Sequence, residues 1–134
     1  MLDAHGFGIL AGVDLVREPN PRWAANAATL IAALPSTASG EHAGSTSVPG
    51  LPAKPICDLV GFSPTEAELV RLGTVLESLG FISLGEFGIP GRSFFRLHAD
   101  GSDYAHLHTY VAGHPDGASA LAFRDALRDD ARLR

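Results

Sequence analysis

The chain is poor in several residue types on which small proteins often depend. Its 134 residues include one cysteine, Cys57, and no apolar run as long as the roughly 20 residues of a membrane span. A lone cysteine excludes an internal disulfide, which favours the reducing cytoplasm as the location. The first residues lack the basic segment and long apolar core of a secretory signal. We therefore expect a cytoplasmic protein that does not engage a membrane.

Basic residues are also scarce, and only one of them, Lys54, is a lysine. The ten basic residues are outnumbered by fifteen acidic ones, for a net charge of −5. Sequence-independent binding to a polyanion needs clustered Lys and Arg, so nucleic acid is not an expected partner. Four arginines near the end alternate with aspartates and are predicted to form a solvated helix face. These are Arg124, Arg128, Arg132 and Arg134.

Hydrophobic periodicity predicts an α/β fold. Residues 1–12 are Gly-rich, weakly patterned and expected to be flexible, and residues 13–134 are expected to form one domain. The predicted strands are Val13–Val16, Glu41–Ala43, Ile56–Phe62, Phe81–Leu84, Arg92–His98 and Tyr104–Val111. The predicted helices start at Asn20-Pro21, at Ser63 or Thr65, and at Pro115. We expect a small mixed sheet of about five strands, with helices on one face and the polar face open as a cleft.

The last two predicted strands form a hairpin whose register can be inferred. A register with His98 opposite Tyr104 keeps an apolar stripe together, whereas a slip of one residue mixes polar and apolar side chains. That stripe is Phe95, Leu97 and Leu107. The resulting polar pairs are Arg96 with His106, Phe94 with His108, and Arg92 with Tyr110.

The most informative segment runs from Gly44 to Pro55 and leads directly into an apolar strand with one carboxylate, Asp58. Small residues let backbone amides and hydroxyls approach a phosphate, and a carboxylate in an apolar strand needs a cation or a donor. The candidate phosphate ligands are Gly44, Ser45, Thr46, Ser47 and Lys54. A tight connection made by glycine and proline is the alternative. The segment does not have Walker A spacing.

Five stretches of the chain resemble the GrpB family: Glu18–Trp23, Glu41–Asp58, Gly88–Arg96, His106–His108 and Phe123–Asp125. The resemblance implies a nucleotidyltransferase-like fold, and some family members are fused to dephospho-CoA kinase. It places Ser45 at the phosphate loop and Asp58 as the first carboxylate for Mg²⁺. Members of the nucleotidyltransferase superfamily usually have a second carboxylate two positions after the first, and Val60 stands at that position here. Family members usually have further helical sequence beyond the position of Arg134, so a second copy or a protein partner could cover that side.

Two histidines spaced two apart, His106 and His108, should point the same way from one strand. With Asp58 they could bind Zn²⁺ or another transition metal, and Glu41 is the best candidate for a second acid. Alternatively, the histidines contact phosphate, serve as acid and base, or only hydrogen-bond within a polar pocket. Lys54, Arg92 and Arg96 could offset phosphate charge, and two rings, Phe94 and Tyr110, could stack a base or simply pack in the sheet.

The combined prediction is a GrpB-type protein that binds a nucleoside triphosphate or another phosphorylated small molecule. If it is an enzyme, it would transfer a nucleotidyl group to a small-molecule acceptor, with Asp58, His106 and His108 as catalytic residues. A non-catalytic nucleotide sensor or chaperone-like module is the main alternative. Metal-dependent phosphoester chemistry at the histidines and Asp58 is a further one.

Overall fold

The computed structural model describes residues 6–10, 12–13 and 15–130, which form a six-stranded mixed sheet and three α-helices. The strands are β1 (Ile9–Leu10), β2 (Ser39–Ala43), β3 (Cys57–Ser63), β4 (Phe81–Ser83), β5 (Ser93–Ala99) and β6 (Ser102–Val111). The helices are α1 (Arg22–Ala32), α2 (Glu66–Ser78) and α3 (Pro115–Asp129). The sheet order is β2-β3-β6-β5-β4, and β1 pairs with the start of β6. The predicted mixed α/β class is confirmed.

Pairing of β3 with β6 is parallel and sets Asp58 beside His106 and Val60 beside His108. Because side chains alternate along a strand, the residues at these four positions share one face of the sheet. The predicted hairpin pairs Arg96–His106 and Phe94–His108 are confirmed.

The two ends of the predicted hairpin differ from the expectation. A bulge after Leu97 pairs His98 with Asp103, so the predicted His98–Tyr104 pair is wrong. Arg92 precedes β5 and lies outside the ladder with Tyr110. Sequence alternation cannot reveal a bulge, because one added residue shifts only the pairs beyond it.

The apolar face of the sheet carries the main core, under α1 and α2. The predicted stripe of Phe95, Leu97 and Leu107 is buried there. Cys57 is also fully buried in this core, where it packs as a small apolar residue, and burial raises the pKa of its thiol. The predicted start of α2 is confirmed, because Thr65 Oγ1 accepts a hydrogen bond from the Glu68 amide, at 3.2 Å. Helix α3 begins at Pro115 as predicted, whereas α1 begins at Arg22, one residue later than predicted.

The third helix lies on the opposite face, which differs from the expectation that the helices share one face. Ala120 and Leu121 of α3 pack on Val60, Phe62 and Tyr110, so one end of the polar face is covered. Gly117 permits this close approach: a Cβ at that position would lie 2.6 Å from the Phe62 ring and 3.0 Å from the Tyr110 ring.

The arginines of α3 do not all form a solvated face. Arg124 is buried, and Arg128 Nε donates to the Ser47 carbonyl oxygen at 3.0 Å. The prediction is wrong for Arg124, because interleaved aspartates indicate exposure only when no element packs over the helix; Arg128 is exposed as predicted. Arg132 and Arg134 lie outside the described residues.

The N-terminal part also differs from the sequence prediction. Phe7 stacks on Trp23 with ring centroids 6.2 Å apart, and Gly8 N donates to the Pro55 carbonyl oxygen. The described residues 7–10 therefore belong to the fold, whereas residues 1–5 and 11 lie outside the described residues. The predicted strand Val13–Val16 is not formed by its described residues, which are exposed; Asp14 lies outside them. Among the described helices, none has the length and apolar character needed to span a membrane.

We predict that Gly117→Ala destabilises the protein, although alanine ordinarily favours a helix by about 1 kcal/mol over glycine. The added Cβ would overlap the Phe62 and Tyr110 rings, so the free energy of unfolding should fall by about 1–3 kcal/mol. Urea unfolding measures this change. Ser119→Ala, at an exposed position of the same helix, is the matched control. A Gly117→Ala protein as stable as the wild type would contradict the seating of α3 described above.

Candidate functional site

The site is organised by a close approach between the loop after β2 and the carboxylate of β3. Gly44 has a φ of +68°, and a Cβ there would lie 2.5 Å from Asp58 Oδ2. A left-handed backbone and this contact both require glycine. The approach places the following turn, Ser45–Ser47, beside the Asp58 carboxylate.

The three hydroxyls of that turn have different surroundings. Ser47 Oγ donates to the Gly44 carbonyl oxygen at 2.6 Å, and Ser47 is buried. Thr46 Oγ1 is buried as well, where it donates to the Ile56 carbonyl oxygen and lies 2.8 Å from His42 Nε2. Both predicted phosphate donors are thus engaged inside the protein. Ser45 is exposed, which makes it the hydroxyl of the turn best placed to meet a ligand.

A cleft of about 430 Å³ opens beside this turn. Its polar lining includes Ser45, Lys54, Asp58 and His106. The chain's only lysine therefore lies in the same cleft as the lone carboxylate of β3. The sequence prediction that the loop, the lysine and Asp58 share one site agrees with this geometry.

His106 and His108 both face the same oxygen of Asp58. The distances to Asp58 Oδ1 are 3.7 Å from His106 Nδ1 and 3.4 Å from His108 Nε2. The side chain of Asp58 is 31% exposed. Burial lowers the pKa of His106, so this imidazole is neutral at pH 7. The predicted placement of both histidines on the Asp58 face is confirmed.

Arg92 determines which nitrogen of His108 carries the proton. Its Nη1 lies 3.3 Å from His108 Nδ1. A guanidinium only donates, so Nδ1 is the acceptor and the ring proton resides on Nε2, facing Asp58. Arg92 also donates to the carbonyl oxygens of Glu86 and Phe87, at 3.1 and 2.7 Å, and is 8% exposed. It was predicted to contact phosphate; the structure instead places its donors on the protein itself.

The remaining predicted ligand-binding side chains lie farther from solvent or have other partners. Phe94 and Tyr110 are 7% and 3% exposed, so neither offers an open ring face for a base. Phe94 contacts the rings of His106 and His108, and Tyr110 lies under α3. Arg96 neighbours His106 across the hairpin, with its Nε 3.6 Å from Asp103 Oδ1.

The predicted metal ligands do not form a recognisable metal centre. Glu41 Oε1 accepts from Arg124 Nη1 at 3.1 Å, so its carboxylate already has a cationic partner. Val60, at the position of the second superfamily carboxylate, is 1% exposed and packs under α3. Within residues 6–10, 12–13 and 15–130, no group of three or more His, Cys, Asp or Glu side chains could hold a metal ion.

Two residues that the sequence interpretation assigned to solvent hold the loop in place. Arg124 Nη1 donates to the His42 carbonyl oxygen at 3.0 Å, and Arg128 Nε donates to the Ser47 carbonyl oxygen. Helix α3 therefore fixes the main chain on both sides of the Gly44 turn. The only sequence indication was the resemblance at Phe123–Asp125, which includes Arg124.

Partly buried His42 provides a test of this support. Burial, helped by the nearby Arg128 guanidinium, lowers the pKa of His42 from 6.5 to about 4. A neutral buried histidine stabilises the fold above its unfolded pKa, and this stability is lost as the pH falls from 6.5 towards 4. We predict that wild type loses about 1–3 kcal/mol more than His42→Gln over that interval. Urea unfolding at pH 7 and pH 4.5 gives the comparison, and equal losses in the two proteins would contradict it.

Comparisons with known proteins agree with this architecture. Residues 14–134 match the model of the GrpB protein family. The chain is 39% identical to UPF0157 protein PA4798 of Pseudomonas aeruginosa over 124 residues, covering 85% of this chain and 51% of that protein. It is 34% identical to UPF0157 protein YqkA of Bacillus subtilis over 87 residues, covering 65% of this chain and 25% of that protein. It thus spans a quarter to about half of these relatives.

A solved structure shares the fold over most of the chain. The crystal structure of conserved protein GrpB from Enterococcus faecalis superposes with a TM-score of 0.77 at 32% sequence identity. The match covers 89% of this chain and 75% of that one. It confirms the nucleotidyltransferase-like α/β fold that the resemblance implied. By sequence and by structure, the chain belongs to the GrpB family.

Proposed function

We propose that this chain binds a nucleoside triphosphate in the cleft beside Asp58. The observation that carries the proposal is that Ser45, Lys54 and Asp58 line one cleft although a loop of proline and glycine separates them in sequence. The lysine supplies a positive charge, the serine supplies a hydroxyl donor, and the absence of a side chain at Gly44 lets the Ser45 turn lie against the carboxylate. A phosphate chain is the ligand that uses the lysine and the serine together.

A magnesium ion fits this site only as an ion shared with the ligand. Asp58 Oδ1 faces the two histidines, whereas Oδ2 lies on the Gly44 side. Mg²⁺ commonly takes one or two carboxylates and completes its shell with water and substrate phosphates. Asp58 would hold it, and when bound it would offset the negative charge of the phosphates. A centre with two metals does not fit, because Val60 supplies no second carboxylate.

Nucleotidyl transfer to a small-molecule hydroxyl is the reaction that we propose if the protein turns over. The acceptor oxygen would form a bond to the α-phosphorus, the bond to the pyrophosphate oxygen would break, and pyrophosphate would leave. His106 lines the cleft and is neutral at pH 7, so it can accept the proton of the acceptor hydroxyl. His108 keeps its proton on Nε2 towards Asp58 and orients that carboxylate.

Binding without turnover is the second candidate function. The buried Val60 favours it, since the usual pair of metal-binding carboxylates is incomplete. Release of pyrophosphate from a panel of nucleoside triphosphates and small acceptors separates the two. Accumulation of pyrophosphate supports transfer, whereas saturable binding without pyrophosphate supports a sensing role.

We predict that Lys54→Ala weakens binding of ATP about tenfold or more while binding of adenosine changes little. A charge-assisted hydrogen bond contributes about 1.5–3 kcal/mol, and only the triphosphate can form it. Ser45→Ala should show a smaller loss of the same kind, since a neutral donor contributes about 0.5–1.5 kcal/mol. Titration calorimetry measures both affinities, with Arg71→Ala as the control, an exposed cation on α2. Loss of folding stability with unchanged ATP affinity would make the loop purely structural.

We also predict that Asp58→Asn removes the magnesium dependence of ATP binding and leaves the protein folded. An amide keeps the shape of the side chain but lacks the negative charge that attracts a divalent ion. Calorimetric titrations with and without Mg²⁺ test this, and Glu77→Gln, at an exposed position of α2, is the control for loss of one carboxylate. If magnesium still strengthened ATP binding to the Asp58→Asn protein, Asp58 would not be the metal ligand.

A further inference from the structure

The loop between β4 and β5 presents an aromatic side chain that is largely exposed. Phe87 is 64% exposed, and its backbone has a φ of +49°. A positive φ is rare for a bulky residue and strains the backbone. The other described non-glycine residue with positive φ, Asp100, lies in the β5–β6 hairpin turn, where aspartate tolerates this conformation. No turn preference of this kind explains Phe87.

The position of Phe87 is fixed from several directions. Arg92 Nη2 donates to its carbonyl oxygen at 2.7 Å, and Arg92 Nε donates to the carbonyl oxygen of Glu86. The Glu86 carboxylate in turn accepts from the Gly91 amide at 2.6 Å. The Phe87 ring contacts Phe94, with centroids 5.4 Å apart. The backbone and the ring of Phe87 are thus fixed before any ligand binds, so a ligand that stacks on the ring would cost the loop little conformational entropy.

A continuous row of contacts connects this ring with Asp58. Phe87 contacts Phe94, whose ring centroid lies 5.5 Å from that of His106, and His106 Nδ1 lies 3.7 Å from Asp58 Oδ1. Phe94, His106 and Asp58 share the polar face of the sheet, and Phe87 contacts Phe94 from the loop between β4 and β5. One row of side chains therefore joins the exposed ring of Phe87 to the charged, hydroxyl-bearing cleft.

We infer that Phe87 binds the nucleobase of the ligand. The base stacks on the Phe87 ring while the phosphates occupy the cleft. The inference rests on the proposed function, since it needs the triphosphate at Ser45 and Lys54. It replaces the buried Phe94 and Tyr110 as the stacking platform. Stacking tolerates any base because every base has a π face, so the interaction adds affinity for nucleotides over inorganic phosphates without selecting one base.

The test compares magnesium ATP with magnesium tripolyphosphate by titration calorimetry. Phe87→Ala should weaken ATP binding about fivefold or more and leave tripolyphosphate within twofold of wild type. Phe87→Trp should keep ATP affinity. Phe123→Ala is the matched control, because Phe123 is 68% exposed on α3, and it should change neither ligand.

Results that contradict the stacking role of Phe87 can be told apart from results that contradict the proposed function. Wild type that does not bind tripolyphosphate would overturn phosphate binding at the cleft. Tripolyphosphate binding with an ATP affinity unchanged in Phe87→Ala, or an equal loss for both ligands, would overturn the stacking role alone. Phe87→Gly relieves the positive φ, so it provides a variant that should melt no lower than wild type and should repeat the selective loss of ATP affinity.

Discussion

The arrangement of the site depends on the parallel pairing of β3 with β6. This pairing sets Asp58 beside His106 and brings His108 to the same carboxylate oxygen. A shift of one residue would turn Asp58 towards the core and Leu59 towards the polar face. The core opposes any such shift, since Leu59 and Leu107 are both buried under α1 and α2. Packing on one face of the sheet thereby determines which side chains lie on the other face.

Support for the carboxylate comes from two directions. On one side Arg92 holds His108 in the tautomer that donates to Asp58, and on the other Gly44 lets the loop reach Asp58 Oδ2. Helix α3 then holds the loop through Arg124 and Arg128. These arginines donate to carbonyl oxygens of the main chain, and Ser45 and Lys54 line the cleft.

Side-chain alternation, which repeats every two residues, was sufficient to predict the strands of the site and the shared direction of His106 and His108. That Asp58 lies on the same face was also predicted, but it depends on the pairing of β3 with β6, which no local pattern indicates. Local patterns did not predict the position of α3, whose contact with the sheet depends on the absence of a side chain at Gly117. Nor did they predict the buried roles of Arg92 and Arg124, since arginine is ordinarily a surface residue. Those roles depend on partners distant in sequence, such as His108 and Glu41, which only the folded chain brings together.

The proposal on which the rest depends is that a triphosphate occupies the cleft lined by Ser45, Lys54 and Asp58. Backbone amide shifts of the isotopically labelled protein, followed by NMR as a magnesium complex of a nonhydrolysable ATP analogue is added, test it most directly. We predict saturable shifts concentrated at Gly44–Ser47, Lys54 and Asp58, with smaller shifts along β6. Saturable shifts that spare these residues, or no shift at millimolar nucleotide, would contradict it.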